Sequence, residues 1–503
     1  MTTIEEKHTV VDETAVPSTP KTDGSSSAAG AGAQDHELPP IDPKAESRLV
    51  RKLDLTIYPV FFVIYLMSFL DRINISNAKI QHMGDDIDLD GHHFNVALFI
   101  YYVSYILLEI PSNMVIKKMR PSLYLSGLMF IWGIINMCMG FVQSYEALVG
   151  LRFMLGIFEA GVLPGIIYVT SMYYKRHEYQ KRMSFFFCST VVAGAFGGLL
   201  AYGIADMDGM AGLRSWRWIF IIEGGITAVL AIIASFLIID WPEQTRFLNA
   251  AEKELLRRRM ALDMGDVSRM DTLNRFSWGL IWRDYKIWLG AFLYMGVSVP
   301  GLSGTFFLPT ILLEFGWKAE EAQVRTIPVY VFAGFCMLFS AWLSDRLKHR
   351  FGFFVVGTAM VTIGYSMLLA QEGKSRDYKF GAIFPIFGGA YMVTPMCLGW
   401  VQNNVSGHWK RSFASSTQVT IGNIAGIIGG NIFLKSEAPV WTTGYSVALA
   451  FMWVGFACAA SMAGLMWREN KKRERGERDE RLVLPQEDLI NQGDAHPSFR
   501  FTL

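Results

Sequence analysis

Six ionisable side chains interrupt long apolar stretches of this sequence: Asp71, Arg72, Glu109, Arg152, Glu159 and Glu223. A charge is costly in such surroundings and normally faces a partner or a polar cavity, so chemistry is expected at these positions. Guanidinium stays charged and grips a carboxylate through two parallel hydrogen bonds, which suits Arg72 or Arg152 to an organic anion. A carboxyl group in a low-dielectric cavity is biased towards its neutral form, so Glu159 can load a proton and release it. Seven residues, close to two helical turns, separate Arg152 from Glu159, which places both on one helix face with Glu159 about 10 Å further along. An arginine beside that carboxyl opposes protonation until another anion occupies the arginine. Anion binding and proton binding become coupled in that way.

A structural role is open to the same residues. Asp71, Arg72 and Arg152 can reach an interface by extending their side chains, and an Asp71 to Arg152 bridge can be a clasp. Glu109, near the end of its apolar stretch beside a basic turn, fits a gating ion pair or simple interface placement. Neutral polar residues complete the candidate set: Tyr101, Tyr102, Tyr105, Tyr294, Trp400 and Asn423 can hydrogen-bond or stack on a flat ligand, or can join helices by packing.

These side chains need elements to position them. Hydrophobic residues make up 51% of the 503 and charged residues 18%, against about 25% charged in soluble proteins. From Leu55 onward the chain is a succession of apolar runs, at 55–77, 94–116, 122–144, 147–172, 183–205, 218–239, 287–313, 326–344, 352–371, 380–403, 413–434 and 443–467. Each is near the roughly 20 residues that span a hydrocarbon core as a helix, so an all-α integral membrane fold of twelve spans is expected. Alternate loops are basic: Arg48, Arg51 and Lys52, then Lys117, Lys118 and Arg120, then Lys175 to Arg182, and in the same phase Arg257 to Arg259, Arg346 to Arg350, Lys410 and Arg411, and Lys471 to Arg473. Basic loops stay in the cytosol, so both termini are expected there. In this frame Arg72 lies about 7 Å short of the outer end of the first span and Arg152 about 8 Å below the start of the fourth, at similar depth.

The expected organisation is a disordered tail (1–47), six spans (48–239), a central cytosolic loop (240–286), six more spans (287–467) and a second tail (468–503). Within the loop, AAEKELLRRRM (250–260) reads as a helix lying along the cytosolic face between the halves. IPSNMVIKKMRPS (110–122) is echoed by AWLSDRLKHRFGF (341–353), which points to a duplicated six-helix unit. The echoed turns carry Lys117, Lys118, Asp345 and Arg346, which join Glu109 as candidate gating residues. Glycine runs at 194–198 and 422–430 let helices approach closely. Cys138, Cys188, Cys336, Cys397 and Cys458 have neither metal-ligand nor redox spacing. No metal or other cofactor is implied. A net charge of +1 gives no nucleic-acid footprint. Gly373-Lys374-Ser375 has Leu368 where a phosphate loop needs glycine, and neither HExxH nor GxSxG occurs, so an ATP-driven pump and a membrane enzyme are disfavoured.

The pattern resembles a major facilitator superfamily transporter. DRINISNAKIQHM (71–83), LLEIPSNMVIKKMRPS (107–122), LRFMLGIFEAGVLPGIIYVTSMYY (151–174), WRWIFIIEGG (216–225) and WVQNNVSGHWKRS (400–412) resemble the fungal allantoate-permease branch of the anion:cation symporters. GNIAGIIGG (422–430) and the segment 437–446 extend the likeness over nearly all of 48–470, with Ser76 standing where the branch often has glycine. The resemblance implies two six-helix bundles and a proton-coupled importer of a small carboxylate, such as a vitamin acid or ureido acid, in the plasma membrane and functional as a monomer. In the related symporters the Asp-Arg pair of the first span and the Arg and Glu of the fourth are implicated in substrate and proton binding, and Asp71, Arg72, Arg152 and Glu159 fall on those positions. Export of an acidic metabolite, and nutrient sensing through the tails, are the competing readings.

Overall fold

The computed structural model describes residues 41–89, 91–116, 118–264, 275–347, 349–480, 493–497 and 499–502. Residues 1–40, most of the expected first tail, and Lys117 lie outside that set, as does the side chain of Asp345. The first half consists of α1 (Pro43–Ala78), α2 (His93–Ile116), α3 (Pro121–Met139), α4 (Tyr145–Glu159), α5 (Val162–Tyr173), α6 (Arg176–Ala205) and α7 (Ser215–Leu237). Two connecting helices follow, α8 (Ala250–Met264) and α9 (Arg275–Trp282). The second half comprises α10 (Tyr285–Glu314), α11 (Ala319–Leu347), α12 (Phe351–Leu369), α13 (Arg376–Asn403), α14 (His408–Asn431) and α15 (Thr442–Glu474). A helix satisfies its own backbone, which is why apolar runs of this length adopt it. Local signals set the starts: Pro121 occupies the first turn of α3, and Ser144 caps α4 by accepting from the Ala147 amide at 3.3 Å.

Eleven helical stretches among the described residues are long and apolar enough to cross a bilayer, with α4 and α5 counted as one interrupted stretch. The twelfth expected span, 413–434, is helical as part of α14 but falls short on apolarity. Its sequence, HWKRSFASSTQVTIGNIAGIIGGN, is rich in Ser, Thr, Gln and Asn. The physical reason is placement: α14 packs between α10 and α2, so its polar side chains face protein.

The halves touch through α2 on α14 and α6 on α11. Glycines permit the approach, since a Cβ on Gly194 would lie 2.3 Å from the Tyr330 ring and one on Gly198 2.7 Å from the Gln323 carbonyl oxygen. Away from the basic loops, Asn95 donates to the Gly430 carbonyl at 2.6 Å, Gln81 reaches Gln323 at 3.5 Å, and Phe94 meets Phe307 edge-on at 6.1 Å. At the basic end, α8 lies on α1 and α5 rather than between the halves. Its Arg259 is buried and bonds Glu46 at 2.9 Å, Glu178, and the Tyr173 carbonyl at 3.3 Å. These ion pairs tie the helix to the first half.

The second tail is not wholly free. Residues 493–497 and 499–502 fold back onto the basic end of the second half, where Asp494 pairs with Lys286 at 2.6 Å and Lys410 at 2.8 Å while Asp284 bonds the same lysines. Arg473 donates to the carbonyls of Asp494, His496 and Phe499. Burial alone would push the Asp494 carboxyl up, but the two ammonium groups override it and hold the carboxyl well below the usual carboxylate range. A depressed carboxyl contributes stability that is present above its ordinary value of about 3.9 and is lost as pH falls through the depressed one. Acidification to mildly acid pH should therefore leave the tail seated. Asp494→Asn should release it at neutral pH, costing roughly 3–5 kcal/mol and exposing residues 493–502 to carboxypeptidase; equal resistance of wild type and variant would contradict this docking.

Candidate functional site

Between the halves lies a cavity of about 70 Å³. Its first-half walls are Tyr65, Phe69 and Arg72 of α1, Tyr105 of α2, Leu163 of α5, and Phe187 and Thr190 of α6. Tyr294 and Ser298 of α10, Met337 of α11, Tyr391, Thr394 and Pro395 of α13, and Gly422 and Asn423 of α14 close the other side. Pockets that enclose a drug-sized ligand measure roughly 300–1,000 Å³, so this one holds only a small solute unless its walls part.

Arg72 is the only guanidinium among the described lining residues. It bonds Glu159 at 2.5 Å, and Ser68, one turn earlier on α1, donates to the same carboxylate oxygen at 2.5 Å. The guanidinium carbon lies 5.1, 5.6 and 5.8 Å from the ring centres of Tyr101, Tyr105 and Tyr102, so aromatic faces surround the charge. Glu159 ends α4, where Ala160 and Gly161 interrupt the helix before α5. Gly156 brings α4 against α2, since a Cβ there would lie 2.2 Å from the Tyr101 carbonyl oxygen. The remaining Glu159 oxygen is buried without a hydrogen-bond partner among the described residues.

The other predicted site residues are placed unevenly. Tyr294 and Asn423 line the cavity, whereas Tyr102 is covered by α14, whose Gly426 sits against its ring. Arg152 lies behind the lining, donating to the backbone carbonyl of Arg72 at 3.4 Å, with its Nε and Nη2 groups buried and without a hydrogen-bond partner among the described residues. Asp71 points away from the cavity into the first half. Its carboxylate accepts from Asn136 at 2.7 Å and from Trp132 and Thr227, each at 3.1 Å, so the Asp71 to Arg152 clasp is not formed. One residue of helix rotates its side chain about 100° from that of Arg72 around α1, which turns the adjacent charges to different helices. Glu223, on α7, accepts from Asn74.

Trp400 does not line the cavity. It is buried near the basic end of α13, stacks on Phe354 and donates to the Thr502 carbonyl at 2.9 Å, because the folded-back tail supplies its partner. Glu109 makes no ion pair with any described residue and faces Thr420 and Asn423. Lys118 and Arg346 are exposed, the latter over the Trp342 ring at 5.8 Å. Sequence reasoning passed over Ser68, Tyr65 and Tyr391. Ser68 carried a legible signal, since it precedes Arg72 by four residues and so shares its helix face.

Helices packed as two halves, with a small cavity at their interface holding one buried arginine, have the build of a membrane transporter. A sequence profile of the Major Facilitator Superfamily matches residues 61–430. An uncharacterized transporter from Schizosaccharomyces pombe is 33% identical over 92% of this chain and 91% of its own length. The high-affinity nicotinic acid transporter of Saccharomyces cerevisiae is 29% identical over 88% of this chain and 82% of its own. Among solved structures, the proton:xylose symporter XylE superposes with a TM-score of 0.61 at 18% identity, covering 82% of this chain and 96% of that one, a likeness of fold. This chain belongs to the major facilitator superfamily; it is a multi-pass membrane protein with the fold of transporters and not an enzyme.

The Asp71 network has a direct test. Trp132→Phe removes one of three donors to a fully buried carboxylate, at a cost of about 1–3 kcal/mol. The variant should unfold at a lower temperature in detergent; an unchanged midpoint would show that Trp132 does not hold Asp71.

Proposed function

We propose that the chain imports a small organic anion together with protons, as a monomer in the plasma membrane with both termini cytosolic. In this reading residues 48–239 and 287–467 rock about the cavity, and the basic turns carrying Lys117, Lys118, Asp345 and Arg346 meet and part at the cytosolic end. The observation that carries the proposal is the Arg72–Glu159 pair on the cavity wall. A substrate carboxylate that takes the Arg72 guanidinium displaces Glu159 from its charged partner, and a proton arriving with the anion takes that partner's place. Anion and proton therefore enter together. Arg152, held behind Arg72 with donors that lack a hydrogen-bond partner among the described residues, adds positive potential to the site, and Asp71 holds α1 in place.

Substrate class rests on the walls and on a relative. Tyr65, Phe69, Tyr105, Phe187, Tyr294 and Tyr391 offer flat faces around one cation, which suits a planar monocarboxylate. A relative that carries nicotinic acid points the same way. Nicotinate is accordingly the first candidate, with ureido acids such as allantoate next.

Cells expressing the chain should accumulate labelled nicotinate or allantoate, and an uncoupler should abolish accumulation. Glu159→Gln should stop accumulation while sparing exchange. Arg72→Lys loses the bidentate grip, worth about 1.5–3 kcal/mol, and should raise KM tenfold or more. Accumulation that persists in Glu159→Gln would remove that residue from proton coupling, and outward loss from preloaded cells in place of uptake would reverse the direction assigned.

A further inference from the structure

One buried acid is left without the support the others have. Glu159 is held by Arg72 and Ser68, Asp71 by three neutral donors, and Glu223 by Asn74. Glu109 is 0% exposed and makes no ion pair among the described residues. The polar groups facing it are Thr420 and Asn423, which belong to α14 in the opposite half. Both Glu109 oxygens, the Thr420 hydroxyl and the Asn423 amide nitrogen are buried and have no hydrogen-bond partner among the described residues. The three side chains form a small polar island across the contact between the halves.

Place and chemistry agree on what the island can do. Glu109 follows Tyr105, a cavity-lining residue, by one turn of α2, about 6 Å nearer the basic end. Asn423 touches both the island and the cavity. An ionised carboxylate here has no cation to offset its lost hydration, whereas a neutral carboxyl both donates and accepts, matching a hydroxyl and an amide. Tyr105 is the titratable group that faces Glu109. The helices packed on α2, namely α4, α5 and α14, set no charged side chain against Glu109 among the described residues.

We infer that Glu109 is a second proton-binding site, in series with Glu159 on the basic side of the cavity, and that its charge state decides whether α2 and α14 stay together. Neutral, it bridges to Thr420 and Asn423 and the halves remain in contact. Ionised, it loses its donor and must be hydrated, which requires α14 to withdraw from α2. Proton release at the basic end is thereby tied to separation of the halves there. The link to transport rests on the proton-coupled reading above; proton occupancy of Glu109 does not.

Two measurements keep those apart. In purified full-length protein, the infrared carbonyl band of neutral carboxyl groups is followed through a pH titration. Glu109→Gln should lose one carboxyl contribution, and Glu109→Asp, which keeps a carboxyl if the glutamine variant does not fold, should retain a titrating band at a displaced midpoint. A Glu109→Gln titration identical to wild type, or an aspartate variant with no displacement, would overturn the proposal. In liposomes, exchange of labelled nicotinate should depend on pH at the basic face in wild type and lose that dependence in Glu109→Gln. An unaltered dependence would overturn the link to the α2–α14 contact. Absence of nicotinate movement by wild type itself would count against the transport reading and leave the infrared result to decide Glu109.

Discussion

Arg72 and Glu159 meet at 2.5 Å with neither side chain more than marginally exposed. Removing either partner strands the other charge at a cost of roughly 3–5 kcal/mol, so the site tolerates only an exchange of partners. An incoming carboxylate is such an exchange. The interruption after α4 ends the helix at Glu159, Gly156 brings that helix onto α2, and Ser68 supports the carboxylate from α1. Tyrosine faces stand where further cations would repel the arginine.

Charge is unequally shared between the halves. The first half buries Asp71, Arg72, Arg152, Glu109, Glu159 and Glu223. Near the cavity the second half contributes neutral surfaces such as Tyr294, Tyr391 and Asn423. Its buried charges, Asp284, Lys286, Arg350, Lys410, Arg473 and Asp494, gather at the basic end, where each of the two aspartates pairs with both lysines. Displacement of the second half can thus change which neutral groups meet the first half without separating an ion pair at the cavity. Glu109 stands where that displacement is felt, against Thr420 and Asn423.

Much of this was legible in the sequence because hydrocarbon makes charge conspicuous. Eleven of the expected spans stand out by apolarity, and the intramembrane charges mark the half that carries the site. Helical spacing put Arg152 and Glu159 on one helix face about 10 Å apart, with Arg72 at a depth similar to that of Arg152. What spacing could not supply was direction around the helix axis relative to other helices. Asp71 and Arg72 are adjacent in sequence, yet one faces α3 and α7 and the other the cavity. Trp400 was misplaced for a different reason: its partner Thr502 comes from a tail with no apolar pattern to announce that it folds back. The twelfth span blended into its polar surroundings because a helix enclosed by protein needs less apolar surface.

The central claim is that an anion and a proton exchange partners at one ion pair. Proton uptake on ligand binding tests it most directly, in purified protein in a weakly buffered solution near neutral pH. Addition of nicotinate, or of another carboxylate shown to bind, should draw protons from solution in proportion to occupancy, and Glu159→Gln should bind the ligand with no such uptake. Binding to the wild-type protein without proton uptake, or uptake undiminished in Glu159→Gln, would contradict the account.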